Sequence, residues 1–281
     1  MRPAGNFNSE SGVWLMGDLR FATVRLATGP QIHYAEQGNA EGDPILFLHG
    51  WPDSWFSFSS ILPLLSHRVH AFVLDQRGFG DSEALDAGYG IDEFAADAVA
   101  FLDAVSIERA TIVGHSFGSF VARHVAITNP ERVARLVLIG TGVSAATPVT
   151  REVQATLMEL PDPVPVEFAR DFQASTAHVP LPESFFERIV AESLKLAAWR
   201  WRGVLDGLLA YDDTDQLSRI VTPTLLIWGE RDVLFSRNDQ DRLVTAIRGS
   251  KLLSYPETGH CPNWERPQRV AADLEAFIDQ S

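Results

Sequence analysis

Three short segments of the sequence carry residue types that perform nucleophilic catalysis, and the first contains a serine. Gly114, Ser116 and Gly118 form a Gly-x-Ser-x-Gly pattern between an apolar run and a segment of helical period. A serine in a tight strand-to-helix turn projects its hydroxyl outward, and glycines two positions away avoid a collision with that turn. The pattern predicts a serine nucleophile, and a glycine-rich turn that only permits close helix–strand packing is the alternative.

A serine hydroxyl is a weak nucleophile, so it needs a base, and the base needs an orienting acid. Among eight histidines, His260 lies in a turn-rich loop after the last predicted strand. The others lie on or near predicted elements and are interpreted as surface or core residues: His33, His49, His67, His70, His115, His124 and His178. Asp232 follows the preceding predicted strand and is the expected acid, with Glu230 as its local rival. Residues 132–151 contain no Asp or Glu, which excludes an earlier position for the acid.

These residues need a framework, and the chain alternates short apolar runs with longer segments of helical period. The predicted strands are Phe21–Ala27, Gln31–Glu36, Pro44–His49, His70–Asp75, Ala110–Gly114, Arg135–Ile139, Thr224–Trp228 and Lys251–Tyr255. Several are apolar throughout, which is typical of parallel strands covered by helices on both faces. The alternation predicts an α/β fold with a mostly parallel central sheet.

The alternation is interrupted once, where proline-rich helical stretches replace the strands. The sequence predicts an N-terminal extension over residues 1–20, an α/β core over 21–142 and 217–281, and a helical insertion over 143–216. Two ordinary crossover helices with long loops are the alternative for the insertion. In the extension, Trp14–Met16 indicates some burial; this segment would cover the sheet edge, support a dimer contact or be disordered.

The composition excludes several classes of protein. With 281 residues, 46% hydrophobic and 21% charged, the chain is not collagen-like, low-complexity or disordered. Its single cysteine excludes an internal disulfide and a cysteine-based zinc site. A net charge of −14 argues against nucleic acid and membranes as partners. No apolar run approaches the ~20 residues of a membrane span, and the N-terminus lacks a secretory apolar region. We expect a cytoplasmic monomer or homodimer.

Together the motifs resemble those of the α/β-hydrolase family over nearly the whole chain. The matching segments are His49-Gly-Trp-Pro52 with Trp55, Asp75-Gln-Arg-Gly-Phe-Gly-Asp-Ser82, Gly114-His-Ser-Phe-Gly118, and the loops of Asp232 and His260. The resemblance implies Ser116 as nucleophile, His260 as base and Asp232 as acid. It also implies an oxyanion hole formed by the backbone N–H groups of Trp51 and Phe117.

The same resemblance assigns roles outside the catalytic residues. It implies a structural role for the Asp75–Ser82 loop and a cap over the pocket for the insertion. Neither a metal nor an organic cofactor is implied. Ser119 departs from the family, in which a second glycine is common, and we expect only a slight change in packing there.

The branch of the family is predicted from residue chemistry. The first two motifs look most like those of epoxide hydrolases and haloalkane dehalogenases, which use an aspartate nucleophile. Ser116 acylates instead, so the substrate should carry a carbonyl group. Epoxide hydrolases also use two tyrosines from the cap, whereas Tyr211 is the only tyrosine of the insertion. The glycine-rich loop of the C–C bond hydrolases is absent. We therefore expect hydrolysis of an ester or lactone.

Two other functions remain open, and both keep the same three residues. Serine haloperoxidase-like members of the family make peracids from carboxylic acids and peroxide. A ligand receptor of the same fold would instead turn over slowly and act through movement of the cap.

Aromatic residues give the main indication of the substrate. The predicted substrate-binding residues are Trp51, Phe117, Phe172, Trp199, Trp201 and Tyr211. They favour a small, apolar molecule as the partner. The alternative, of equal weight, is that the aromatic residues of the insertion only pack it against the core.

Overall fold

The computed structural model describes residues 6–8, 13–16 and 19–280, and this part of the chain contains a single sheet of ten strands. The strands are β1 (Asn6–Asn8), β2 (Val13–Met16), β3 (Leu19–Arg25), β4 (Gln31–Gly38), β5 (Asp43–Leu48), β6 (Val69–Leu74), β7 (Ala110–His115), β8 (Val133–Ile139), β9 (Thr224–Gly229) and β10 (Lys251–Tyr255). Their order is β1-β2-β3-β4-β6-β5-β7-β8-β9-β10. From β6 onward in this order all neighbours are parallel, whereas β1 to β4 and the β4–β6 pair are antiparallel. The predicted α/β class is confirmed.

Helices cover both faces of the sheet. They are α1 (Ile91–Ala104), α2 (Phe117–Thr128), α3 (Pro148–Glu159), α4 (Val166–Thr176), α5 (Glu183–Ser193), α6 (Ala198–Ala210), α7 (Arg237–Ala246), α8 (Pro262–Glu265) and α9 (Pro267–Ile278). Short 3-10 helices span Trp55–Phe58, Leu62–Leu64, Pro130–Arg132 and Thr214–Arg219. In the described part of the chain, no helix combines the length and apolarity that a bilayer crossing requires.

Alternate residues of the central strands point into two separate cores, which explains why these strands are apolar throughout. In β5, Leu46 and Leu48 pack in the core that contains α1 and α2. Ile45 and Phe47 pack in the opposite core, which contains α9. All four side chains are fully buried. Two covered faces leave no position in such a strand for a polar residue.

The eight predicted strands are all present, and no end differs from its predicted position by more than two residues. The prediction missed β1 and β2, which lie within the predicted N-terminal extension and continue the sheet beyond β3 by antiparallel pairing. Both are very short, so neither offers enough alternation to be recognised. The predicted burial of Trp14–Met16 concerns side chains outside the described part.

Residues 143–216 are described throughout and contain the four helices α3 to α6 and no strand. Arg123 of α2 ties both ends of this insertion to the core. Its Nη1 donates to the carbonyl oxygen of Gly142 at 2.6 Å, and its Nη2 donates to Asp213 Oδ1 at 2.7 Å. One fully buried guanidinium thereby contacts the chain where it leaves the sheet and where it returns.

The loop after β6 holds the loop after β5 in place. Asp75 is buried and accepts hydrogen bonds from the N–H groups of Trp55 (2.7 Å) and Asp81 (2.9 Å). The Gln76 N–H donates to His49 Nε2 at 3.1 Å. These contacts are structural, and they fix the backbone that passes beside Ser116.

Candidate active site

Ser116 lies in the tight turn between β7 and α2. Its backbone angles are φ 49° and ψ −118°, a conformation that side-chain-bearing residues rarely adopt. A Cβ on Gly114 would lie 2.2 Å from the carbonyl oxygen of Gly118, and one on Gly118 would lie 2.1 Å from that of Leu48. Larger residues at either glycine would push the turn apart. The turn presents the Ser116 hydroxyl at the carboxyl edge of the sheet.

The loops after β9 and β10 bring Asp232 and His260 to this hydroxyl. His260 Nε2 lies 2.8 Å from Ser116 Oγ, and His260 Nδ1 lies 2.9 Å from Asp232 Oδ2. The other carboxylate oxygen of Asp232 accepts from the N–H groups of Leu234 and Phe235 at 2.8 and 3.1 Å. With Nδ1–H donating to the carboxylate, Nε2 is free to accept the serine proton.

Other contacts hold the imidazole of His260 in this position. The ring is almost completely buried, and the His260 backbone N–H donates to the Thr176 carbonyl oxygen at the end of α4 at 2.9 Å. Glu230, the alternative acid, is exposed. The structure therefore joins Asp232, and not Glu230, to the histidine.

The backbone of both predicted oxyanion donors lies beside Ser116. Phe117 is the first residue of α2, where backbone N–H groups have no acceptor within the helix. Trp51 follows Gly50, and a Cβ on Gly50 would lie 3.3 Å from Ser116 Cβ. This proximity is what two donors to a developing oxyanion require.

A cavity of about 40 Å³ adjoins Ser116 and His260, and we call it the chamber. The insertion contributes much of its wall, through Ala145, Thr150, Val153, Phe172, Leu205 and Leu208. The core contributes Trp51, Phe120, Leu234, Phe235 and Trp264. The wall is therefore mainly apolar, and the insertion and the core both contribute to it.

Of the six predicted substrate-binding side chains, two line the chamber and four do not. Trp51 and Phe172 lie in its wall, with ring centroids 5.1 Å apart. Trp201 is fully buried behind Trp51, so it supports the wall without facing the chamber.

The other three side chains face elsewhere. The Phe117 ring is buried against Phe79 and Phe94, beneath the turn. Trp199 is 42% exposed on the outer surface of α6. Tyr211 contacts His124, its hydroxyl 3.1 Å from His124 Nδ1. The side chains of Phe117, Trp199, Trp201 and Tyr211, which the sequence predicted to bind substrate, therefore lie outside the chamber wall. Three of them pack within the protein, and Trp199 is partly exposed.

Sequence reasoning missed the polar residues of the chamber, above all Asp53 and Gln173. Asp53 stands two positions after Trp51, which was a usable signal that it lies near the site. Gln173 had no such signal, because its position depends on how α4 docks. Gln173 Nε2 donates to Asp53 Oδ1 at 3.0 Å.

Asp53 and two neighbouring groups, His115 and Cys261, are buried and titratable. Burial raises the pKa of Asp53 to about 7, against a partial lowering by the hydrogen bonds from Gln173 and Ser57. Burial, together with the nearby His260, holds the pKa of His115 well below its usual value. Burial also raises the pKa of the Cys261 thiol, as expected for a small buried residue without a redox role.

Ser119, the departure from the family pattern, supports the turn. It is buried, and its hydroxyl donates to the carbonyl oxygen of Ser116 at 2.5 Å. Ser119 Oγ also lies 2.8 Å from Thr141 Oγ1. A glycine would lack both contacts.

Comparison with known proteins adds independent findings. Residues 43–267 match the family model of the alpha/beta hydrolase fold. A non-heme chloroperoxidase of Streptomyces lividans is 30% identical over 91% of this chain and 99% of its own. A bifunctional esterase/perhydrolase of Acinetobacter calcoaceticus is 29% identical over 91% of this chain and 98% of its own. The crystal structure of a bromoperoxidase from Bacillus anthracis has a TM-score of 0.83 at 21% identity, over 92% of this chain and 100% of that one.

Proposed function

Because the chain belongs to the α/β-hydrolase fold family, we propose that it is a serine hydrolase that cleaves a carboxylic ester or lactone through an acyl-enzyme on Ser116. The observation that carries this proposal is the hydrogen-bonded series from Asp232 through His260 to Ser116, with contacts of 2.9 and 2.8 Å. A buried imidazole between a carboxylate and a serine hydroxyl is the arrangement that activates a serine.

Acylation begins when Ser116 Oγ attacks the substrate carbonyl carbon while His260 Nε2 takes the hydroxyl proton. General-base assistance of this kind contributes roughly 10²–10⁴-fold to the rate. The negative charge on the carbonyl oxygen faces the N–H groups of Trp51 and Phe117, each such donor contributing about 3–4 kcal/mol. Asp232 stabilises the imidazolium and holds its tautomer.

Collapse of the tetrahedral intermediate and deacylation use the same groups. His260 gives its proton to the leaving alcohol, which departs and leaves the acyl group on Ser116. A water molecule then loses a proton to His260 and attacks the acyl carbon, and the acid product leaves as the serine recovers its proton. No step calls on a group outside the chain and its substrates.

The chamber supports a small substrate. Its volume of about 40 Å³ is well below the ~150 Å³ of a cavity that accommodates benzene. Its mainly apolar wall favours an alkyl substituent next to the carbonyl. We further propose that residues 143–216 act as a cap, since this insertion supplies Phe172 and Leu205 to the wall.

The proposal is tested by intact-mass spectrometry after exposure to a fluorophosphonate, with turnover of p-nitrophenyl acetate and butyrate measured in parallel. We expect one adduct on the wild type, none on Ser116→Ala, and loss of turnover in that variant. A wild type that forms no adduct would contradict the proposal. If it then binds a ligand with a shift in melting temperature but without turnover, a receptor function is favoured.

Perhydrolysis is a second candidate, favoured by the names of two relatives. The Streptomyces relative is named a non-heme chloroperoxidase, and the Acinetobacter relative a bifunctional esterase/perhydrolase. Here a carboxylic acid acylates Ser116 with release of water, and hydrogen peroxide then takes the acyl group to give a peracid. Peroxide-dependent bromination of an indicator dye, compared with ester turnover by the same preparation, measures the balance. Bromination equal to that of Ser116→Ala would exclude this activity.

A further inference from the structure

Asp53 is a buried carboxyl group of the chamber that the proposed mechanism does not use. It lies in the loop between β5 and the 3-10 helix Trp55–Phe58, and only 2% of the residue is exposed. It lines the chamber together with Ser116 and His260. A Cβ on Gly50 would lie 3.2 Å from Asp53 Oδ2 and 3.3 Å from Ser116 Cβ, so the carboxyl group and the serine flank the same glycine.

The hydrogen-bond partners of Asp53 are uncharged. Oδ1 accepts from the Gln173 amide at 3.0 Å, and Oδ2 accepts from the Ser57 hydroxyl at 3.2 Å. Among the described residues, the nearest basic group is His115, with Nδ1 4.0 Å from Asp53 Oδ2. That imidazole is fully buried and held neutral, since burial keeps its pKa well below the usual value. No lysine or arginine in the described part pairs with Asp53.

The other ionisable groups around Asp53 come from the loop after β10 and from α5. His260 lies in the loop after β10, and its positive form attracts the carboxylate. Glu192 of α5 repels it, although Arg188 and Lys195 already pair with Glu192. Cys261 borders the chamber as a neutral thiol. The negative charge of Asp53 therefore has no permanent partner in its surroundings.

A carboxylate without a cationic partner, buried in an apolar chamber, repels any second carboxylate there. Two carboxyl groups so close together retain one proton between them, because they cannot both ionise. Burial raises the pKa of Asp53 to about 7, so the group holds a proton in mildly acidic solution and loses it in alkaline solution. The chamber thus changes its charge across neutral pH.

We propose that Asp53 is a specificity-determining residue that excludes carboxylates from the chamber. A free carboxylic acid is admitted only when its carboxyl group and that of Asp53 share one proton. This inference rests on the proposed function of the site and narrows its substrates. Neutral esters and lactones enter at any pH, whereas an acid, whether a product or a perhydrolysis substrate, enters only with a proton.

The sharing of a proton has a consequence for each reaction. In ester hydrolysis, the acid product formed above neutral pH is expelled by the charge of Asp53, which speeds release. In perhydrolysis, the acid must be bound before Ser116 attacks it and hydroxide leaves with a proton as water. Peracid formation is therefore favoured below neutral pH, and net ester hydrolysis is favoured above it.

The test is the pH dependence of acetate binding, measured by NMR titration of ¹³C-labelled acetate into Ser116→Ala. This background carries no nucleophile, so the result does not depend on turnover. We expect the dissociation constant to rise about tenfold per pH unit above pH 7, because each bound acetate requires one proton. Adding Asp53→Asn should lower the slope of the logarithm of the dissociation constant against pH by about one. At pH 8.5, acetate should bind this double variant at least roughly tenfold more tightly than it binds Ser116→Ala.

Asp53→Asn removes the charge and keeps an acceptor for the Gln173 amide. It replaces the acceptor of the Ser57 hydroxyl with an amide donor, from which that hydroxyl can accept. Asp103→Asn, which alters an exposed carboxylate at the end of α1, is the matched control and should leave the slope unchanged. His260 is unchanged in both backgrounds, so the difference in slope reports the substitution at Asp53. Equal slopes in the two backgrounds would overturn the inference.

Two further outcomes distinguish a failure of the proposed role of Asp53 from a failure of the proposed hydrolase function. If Asp53→Asn does not fold, a dissociation constant that stays flat above pH 7 in Ser116→Ala alone overturns the inference. Fluorophosphonate labelling of the wild type addresses Ser116 and is independent of acetate binding. A labelled serine with equal slopes rejects the role of Asp53 alone, whereas an unlabelled serine rejects the hydrolase proposal.

Discussion

At the scale of single residues, Ser116 has a strained backbone conformation at the candidate active site. A non-glycine residue at φ 49° costs on the order of 1–3 kcal/mol, and such residues cluster at functional sites. The turn holds because the Ser116 N–H donates to the Ile139 carbonyl oxygen at 2.9 Å, while Ser119 donates to the Ser116 carbonyl oxygen. The rest of the sheet imposes the conformation that exposes the hydroxyl.

Asp53 gives a prediction for stability at the same scale. Burial raises its pKa from 3.8 to about 7, so the native state binds more protons than the unfolded state between these values. The free energy of unfolding therefore falls as pH rises through this window and is lowest above pH 7. We expect Asp53→Asn to be more stable than the wild type at pH 8 by up to about 4 kcal/mol.

Urea denaturation of the two proteins at pH 4 and pH 8 measures this difference. The curves should converge at pH 4, where the carboxyl group is largely neutral in the native state and half ionised in the unfolded chain. A variant that is less stable than the wild type at pH 8 would contradict the prediction. Asp103→Asn serves as the control for a general effect of acidic charge.

At the scale of the elements, Arg123 determines how the insertion is attached. Arg123 and Asp213 are both almost completely buried, and the guanidinium also binds the Gly142 carbonyl oxygen. Removing one partner of a buried ion pair leaves an uncompensated charge, which costs about 3–5 kcal/mol. We expect Arg123→Met to lose stability of this size.

The measurement is the free energy of unfolding in urea, with Arg237→Met as the control. Arg237 pairs with Asp241 on the surface of α7, and both side chains are about three-fifths exposed, so its loss should cost less than about 1 kcal/mol. Equal effects of the two substitutions would show that Arg123 is not an anchor of the insertion.

Helix α6 contributes Leu205 to the wall of the chamber. This side chain is buried and lines the chamber. Leu205→Ala should raise kcat/KM for p-nitrophenyl butyrate relative to the acetate by about tenfold, because each accommodated methylene contributes roughly 1–3 kcal/mol.

The control is Leu243→Ala, which shortens a leucine that is equally buried in α7. Both variants should lose about 2–5 kcal/mol of stability. The ratio of the two kcat/KM values should change in Leu205→Ala alone. An unchanged ratio would place the acyl chain elsewhere.

At the scale of the whole molecule, the net charge of −14 repels anionic molecules before they reach the chamber. A carboxylate-bearing ester is repelled over distances up to the Debye length, which is about 30 Å at 0.01 M salt and 10 Å at 0.1 M. We expect added salt to raise kcat/KM for p-nitrophenyl hemisuccinate roughly several-fold, because salt screens this repulsion.

p-Nitrophenyl acetate, which is neutral, should show no such rise between about 0.01 and 0.3 M salt. Equal salt dependence of the two esters would contradict a long-range effect. The influence of Asp53 should persist at high salt, because a buried charge is screened much less than a surface charge.

Local patterns in the sequence were sufficient to predict much of the α/β framework. Apolar runs between turn residues predicted eight strands, because parallel strands covered on both faces tolerate few polar residues. The spacing of glycines around Ser116 predicted the turn, because its geometry excludes side chains there. The order of Ser116, Asp232 and His260 predicted the series of contacts that the structure contains.

Only the tertiary structure decided which side chains face the chamber. Trp201 and Phe172 are both apolar aromatic residues of the insertion, yet one is buried behind Trp51 and the other lines the wall. Asp53 reads as a polar loop residue, and its burial follows from the docking of Gln173 on α4. The signals for strands and turns lie within a few neighbouring residues. Whether a side chain faces the chamber or is buried depends on contacts between segments more than a hundred residues apart.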